Sequence, residues 1–279
     1  MSLLQGQRPA RISAVISDVD GTLVTKDKVL TQRTKDAVAA LHRRGIAFAI
    51  TSARPPRGMT MLSGPLGLTT PMAGFNGGVI VRPDLSVIEE HFLLPDIARQ
   101  AIDMIAASGA QPWVFDAQRW MLRSPDGPYV DHEIHTMGFQ PTIVPDFGDR
   151  PTGIGKIVGV SQDFDKLAED EGEMRRVLGD QAFVARSQHY YLDVTHPDAN
   201  KGAVVRSLSR ILGISRSEIV VIGDGANDVA MFAEGALSIA MGNASPEVQV
   251  KADLVTDSNE DDGLAKAIER YLLGSGDKA

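Results

Sequence analysis

The sequence predicts an α/β protein whose parallel-sheet core is assembled from both ends of the chain, with an α+β domain inserted between them. Three observations carry this reading. Strand, helix and strand follow one another between Ile12 and Thr51, and the same alternation returns from Lys201 to Gly274. Between them, from about Leu85 to Gln188, apolar strands pair at the short spacing of a largely antiparallel sheet. The expected boundaries are 1–84 and 189–279 for the core and 85–188 for the insertion.

"ISAVIS" (Ile12 to Ser17) is a short run apolar on both faces, the pattern of a strand in a parallel sheet. Thr31 is an N-cap, Ala37, Val38 and Leu41 fall at helical spacing, and Gly45 stops the helix. "IAFAIT" (Ile46 to Thr51) is the second strand. In the insertion, "SVIEEHFLL", "PWVFD" and "RWMLR" read as strands, and "DIARQAIDMIAASG" and "DKLAEDEGEMRRVLG" as helices. "KGAVVRSLSRILG" carries a stripe of Val204, Val205, Leu208 and Leu212 on a helix. "EIVVIG" and "ALSIAM" are further buried strands on either side of the short helix "DVAMFAEG". "EDDGLAKAIERYLLG" closes the chain as a helix with its acids at the N-terminal end, where the helix dipole favours them.

A chain of 279 residues, 43% hydrophobic and 23% charged, can bury a sizeable core. A net charge of −8 argues against nucleic acid or an anionic membrane as partner. The absence of cysteine excludes disulfides and thiolate-bound metal, and it fits a reducing, cytoplasmic setting. The stretch "MSLLQGQRPARIS" lacks the apolar core of a secretory signal, and no apolar run reaches the ~18 residues of a membrane span. Nothing in the sequence decides between monomer and homodimer.

Ligands of open parallel sheets bind at the carboxyl ends of the strands. There the sequence places Asp18 and Asp20 after the first strand, Thr51, Ser52 and Arg54 after the second, and Asp224, Asn227 and Asp228 after "EIVVIG". Four acids converging on one crevice would repel and raise one another's pKa. A hard cation with oxygen ligands relieves that, and Mg²⁺ suits carboxylates better than zinc does.

"DVDGTLV", "TSARP", Lys201 in "NKG" and "GDGANDVAM" stand in the order of four motifs. In them the chain resembles the haloacid dehalogenase-like superfamily. With its insertion between the second and third motifs it resembles the Cof-type phosphatases, which carry a type-two, C2B-like cap. The resemblance implies a Rossmann-like three-layer core with an inserted α+β cap, and a phosphatase acting on small phosphorylated metabolites such as sugar phosphates. Asp18 is then the nucleophile and Asp20 the general acid and base, and Ser52 and Lys201 hold the transferring phosphoryl group. Asp18, the main-chain carbonyl of Asp20 and Asp224 ligate Mg²⁺, while Asn227 and Asp228 support its water shell and orient Lys201. The acid at Asp20 separates phosphatases and phosphomutases from dehalogenases and ion-pumping ATPases. A sugar phosphomutase and a non-catalytic binding protein are the alternatives.

Some positions carry two readings. The family's Thr-Gly-Arg is Ser-Ala-Arg here, so Thr51 competes with Ser52 as the hydroxyl donor. Arg54 either contacts substrate or fixes its loop. Asn76 and Gly77 in "FNGGVI" are either a hairpin turn or a rim that touches phosphate. Asn200 stands where relatives have a small or apolar residue, which opens a substrate contact. Asp228 can double as a helix cap. Trp113, Trp120, Tyr190 and Tyr191 read as core aromatics, and His132 and His135 as a surface pair.

Overall fold

A computed structural model describes residues 9–274; the segment 1–8, most of "MSLLQGQRPARIS", lies outside them. The first part of the chain forms β1 (Ala14–Asp18), α1 (Gln32–Arg43), β2 (Ala47–Thr51), the single turn α2 (Thr60–Ser63), β3 (Met72–Gly74), β4 (Val79–Val81) and β5 (Val87–Glu90). Next come α3 (Pro95–Ala107), β6 (Gln111–Phe115), β7 (Trp120–Leu122), α4 (Val130–Met137), β8 (Thr142–Ile143), β9 (Lys156–Val160), α5 (Phe164–Leu178), β10 (Phe183–Gln188) and β11 (Tyr191–Thr195). The last part forms α6 (Lys201–Leu212), β12 (Ile219–Gly223), α7 (Val229–Phe232), β13 (Leu237–Ala240), α8 (Pro246–Gln249), β14 (Leu254–Val255) and α9 (Gly263–Ala267).

Two sheets result. The larger runs β14-β13-β12-β1-β2-β3-β4-β5 and is parallel from β14 to β3. The smaller runs β10-β11-β9-β6-β7-β8 and is antiparallel except at β7–β8. Sheet membership moves both expected boundaries. "SVIEEHFLL" does not open the insertion: β5 pairs with β4 and extends the larger sheet. Conversely, Tyr191–Thr195 lies in the smaller sheet, between β9 and β10. The connections between domains are therefore near 91–94 and 196–200, each displaced by one strand. β3 and β14 escaped the sequence reading because two or three apolar residues show no period.

Alternation along the central strands fixes the layers. Val15, Phe48, Ile50, Val220 and Ile222 pack on one face with Val38 and Leu41 of α1 and Leu264 of α9. Ala14, Ile16, Ala49, Ile219 and Val221 face the other way, against Val204, Val205 and Leu208 of α6. Burying each large aliphatic side chain contributes about 1.5–3 kcal/mol, which is why both faces must be covered by helices. In the smaller sheet, Val114, Ile157, Leu192 and Val194 pack under α3 and α5. Its opposite face presents Trp113, Phe115, Trp120 and Tyr191 toward the larger domain. Both tryptophans are fully buried, as core aromatics should be. His132 and His135 are exposed on α4.

Caps set the helices where the sequence places them. The Thr31 hydroxyl accepts from the Thr34 N–H at the start of α1. Asn200 does the same for α6, its Oδ1 accepting from the Ala203 N–H at 2.9 Å. That is the reason for its side chain, and it leaves Asn200 among neither the crevice nor the chamber walls described below. Asn200→Ala should lower stability by about 1 kcal/mol, read as a shifted urea midpoint with an unchanged slope.

Candidate active site

β1 lies between β12 and β2, so the carboxyl ends of all three open on one crevice. This is the point where the strand order reverses, and it gathers Asp18, Ser52 and Asp224 from sequence positions far apart. Asp18 is 5% exposed. Lys201, the first residue of α6, is 1% exposed, and its Nζ donates to Asp18 Oδ1 and to Asp228 Oδ1, each at 2.5 Å. A lysine is driven into that position only by paired charge.

Carboxylate oxygens of Asp18, Asp224 and Asp228 come within 4.8 Å of one another. Three acids thus face one ammonium. Burial, with Asp228 and Asp224 adding to it, raises the Asp18 pKa well above the usual carboxylate range, although Lys201 opposes the shift. Burial and the neighbouring Asp228 push Asp224 up to about 6. Burial alone would lower the Lys201 pKa, but Asp18 and Asp228 outweigh it and raise it.

The donors match a hard divalent ion. They are oxygens, and Asp224 is oriented from behind by the Thr22 hydroxyl on Oδ1 (3.0 Å) and by Asn243 Nδ2 on Oδ2 (3.2 Å). Gly21, at φ +79°, passes so close that a Cβ would meet Asp224 Oδ2 at 2.3 Å. Glycine at that point of "DVDGT" is therefore dictated by both the left-handed turn and the carboxylate beside it. Asp228 has less to spare: its Oδ2 accepts from the Asp224 and Gly225 N–H groups (2.9 and 2.8 Å) and its Oδ1 holds Lys201. It is the cap of its loop and the orienter of Lys201, with both carboxylate oxygens engaged.

Asp20 has the opposite environment. Arg54 Nε donates to its Oδ2 at 2.7 Å and Arg54 Nη2 to its Oδ1 at 2.6 Å, while Lys28 Nζ reaches Oδ1 at 2.7 Å. Burial would raise its pKa, but these two cations hold it down at about 2. Arg54 is therefore a partner of Asp20 and, through Nη1 to the Gly58 carbonyl, of its own loop. Lys28 was not anticipated. The available signal was the need for a second counter-charge near Asp20, in the loop "VTKDK".

The rim follows from backbone bonds. The Asn76 N–H donates to the Ser52 carbonyl at 2.8 Å, tying the β3–β4 turn to the end of β2. Ser52 Oγ accepts from the Arg54 N–H at 3.1 Å and lines the crevice, its proton free to donate. Thr51 is fully buried with its hydroxyl unpartnered, and it is off the crevice wall that Ser52 lines. Asn76 Oδ1 accepts from Asn227 Nδ2 at 3.0 Å, so these two residues bridge the mouth. Gly77 does not line the crevice. At φ +103° it packs against α6, where a Cβ would strike Val204 at 2.7 Å, so its role is backbone shape and not phosphate contact.

A chamber opens from the crevice at Asp20 toward the aromatic face of the smaller sheet. Its walls include Trp113, Tyr190, Tyr191, Glu133 and Lys156. Tyr191 donates its hydroxyl to Glu133 Oε2 (3.0 Å), and Lys156 pairs with Asp193 at 2.7 Å. Burial raises the Glu133 pKa, against the pull of Lys156. The sequence identifies these aromatics as core, which holds for Trp113 and Tyr191; what it lacks is that the same rings border a chamber. Strand alternation alone cannot show which face a neighbouring domain meets.

Fold and crevice together define a capped α/β protein in which an aspartate, a lysine and further acids meet at the carboxyl ends of the central strands. The family model for haloacid dehalogenase-like hydrolases matches residues 15–268, and the chain belongs to that family. An HMP-PP phosphatase of Cronobacter sakazakii is 30% identical over 86% of this chain and 86% of its own. A 5-amino-6-(5-phospho-D-ribitylamino)uracil phosphatase of Bacillus subtilis is 25% identical over 94% and 96%. Among solved structures, a haloacid dehalogenase-like hydrolase from Bacteroides thetaiotaomicron superposes with a TM-score of 0.87 at 27% identity, covering 93% of this chain and 99% of that one. The chain is an enzyme of the phosphatase class.

Removing the lysine leaves Asp18 and Asp228 buried and unpaired. Lys201→Met should destabilise the metal-free protein by about 3 kcal/mol or more, measured by urea unfolding at neutral pH, with the loss shrinking as pH falls and the acids protonate.

Proposed function

We propose that this protein is a Mg²⁺-dependent phosphatase that hydrolyses small soluble phosphomonoesters through a phosphorylated Asp18. The observation that carries the reading is the Lys201 bridge. It fixes Asp18 at the end of the central strand with Asp224 beside it and Asp20 at the entrance to the chamber.

Asp18 Oδ attacks phosphorus and the bond to the leaving oxygen breaks, with Lys201 and Ser52 holding the phosphoryl oxygens. Asp20 gives its proton to the departing alkoxide. It then takes one from the water that attacks the aspartyl-phosphate, which restores Asp18 and frees inorganic phosphate. Asp18 and Asp224, with the carbonyl of Asp20, would hold Mg²⁺, whose charge helps to neutralise the phosphoryl group as it transfers.

The clamp on Asp20 bears on the order of events. With its pKa at about 2 it is ionised at neutral pH, ready as a base but not as an acid. An arriving phosphate dianion competes for Arg54 and Lys28, and loosening either one raises the Asp20 pKa toward a value at which it carries a proton. The leaving group occupies the chamber. Its Tyr190 ring, itself stacked on Tyr129, suits a flat polar ring, and Glu133 and Lys156 suit hydroxyl or amino groups. Phosphorylated sugars and phosphorylated heterocycles both fit that description, and two curated relatives are named for substrates of this size. Among the described residues no helix is long and apolar enough to cross a membrane, and we place the enzyme in the cytoplasm.

The test is a screen of phosphorylated metabolites for phosphate release, with Mg²⁺ and with EDTA. Release should require Mg²⁺ and fall at least about a thousandfold in Asp18→Asn. Turnover that survives Asp18→Asn contradicts the nucleophile, and turnover in EDTA contradicts the cation.

A further inference from the structure

A second cluster of ligating side chains stands away from the crevice, where the two connections between the domains run side by side. His91 follows β5 on the way into the smaller domain, and His196 follows β11 on the way out. Their rings lie 5.6 Å apart between centroids, tilted by 33°. Asp198, two residues beyond His196, completes the group: one ligand atom from each of the three residues lies within 4.8 Å of the others.

We propose that His91, His196 and Asp198 form a second metal site, selective for a borderline divalent ion of the zinc type, which bridges the two interdomain connections. The donor set decides the class of ion. Two imidazoles and one carboxylate suit Zn²⁺ or Co²⁺, with a water in the fourth position, whereas Mg²⁺ avoids imidazole. The crevice, which offers an ion oxygen donors and no imidazole, has the opposite preference, so one chain sorts two kinds of ion into two places.

His91 is prepared for the role. Its Nε2 lies 3.2 Å from Glu89 Oε1, and Glu89 is held in turn by Ser207 Oγ at 2.8 Å and by Arg210. A carboxylate on one ring nitrogen fixes the tautomer and orients the other nitrogen as a ligand. His196 Nδ1 accepts from the Asp198 N–H at 3.1 Å and sits 3.8 Å from Asp198 Oδ2, so the turn already brings ring and carboxylate together. Ligand atoms of a tetrahedral zinc site stand about 3.4 Å apart. The side chains that would close to that spacing are 30%, 26% and 72% exposed, and the same exposure supplies the entry path.

The consequence is mechanical. The smaller domain joins the larger through these two connections, and an ion held by one residue of the first and two of the second pins them together. Any hinge motion that opens the chamber must bend this pair of segments.

Co²⁺ as the spectroscopic stand-in tests the site in the full chain, metal-stripped and held in excess Mg²⁺. One equivalent should give the visible absorption of tetrahedral Co²⁺, and Zn²⁺ should abolish it. The band should disappear in His91→Ala and in His196→Gln and persist in Asp224→Asn. Asp198→Asn, at an exposed position, should weaken Co²⁺ binding at least about tenfold. A wild-type chain without saturable binding, or a band unchanged in both histidine variants, overturns the proposal. The readout does not involve phosphate release, so its failure is separable from failure of the phosphatase reading.

Discussion

Two buried acids and a half-buried third around one lysine govern the rest of the structure. Lys201 satisfies one oxygen of Asp18 and one of Asp228, and Asp224 stands beside them without a cation of its own. Two negative charges remain uncompensated, which is the charge of one divalent ion. Without that ion, burial forces the acids toward their protonated forms, as the raised Asp18 and Asp224 pKa values show. With the ion that we propose, the same crowding would become useful, because Asp18 would stay ionised in a largely buried site.

The fold delivers this cluster and keeps Asp20 out of it. β1 has a parallel neighbour on each side, so three strand ends and the first turn of α6 meet at one place. Asp18 ends the strand inside that convergence. Two residues later the chain has turned at Gly21, and Asp20 faces Arg54, Lys28 and the chamber. Two aspartates one residue apart thus acquire pKa shifts of opposite sign, the separation that acid–base assignments rest on. The smaller domain then covers Asp20 with its aromatic face.

Much of this was legible in the sequence because each signal was local. An apolar run ending in acid marks a strand end, and Thr31 before a 3.6-residue period marks a helix start. Asp18, Asp20, Ser52, Asp224 and Asp228 could be placed at strand ends from such signals, whereas Lys201 was named only through the resemblance in four ordered motifs. Residues whose role depends on how a loop or a neighbouring element folds back were not legible. Lys28 matters only because β1 and its following loop bring it back to Asp20. Gly77 and Asn200 looked like site residues, yet one gives way to α6 and the other caps it. The domain boundaries moved by one strand at each end, since β5 and β11 carry no mark of which sheet they join. Glu133 and Lys156 became chamber walls only when two sheets were placed face to face.

The central claim is that the cluster requires a divalent ion and that Asp224 is the acid which brings it in. Thermal unfolding of the metal-free protein across a Mg²⁺ titration tests this most directly. The account predicts a melting temperature that climbs steadily with the logarithm of Mg²⁺ concentration, and a response largely abolished in Asp224→Asn, whose metal-free form should be at least as stable as the wild type. An equal response in Asp224→Asn, or none in the wild-type protein, would contradict it.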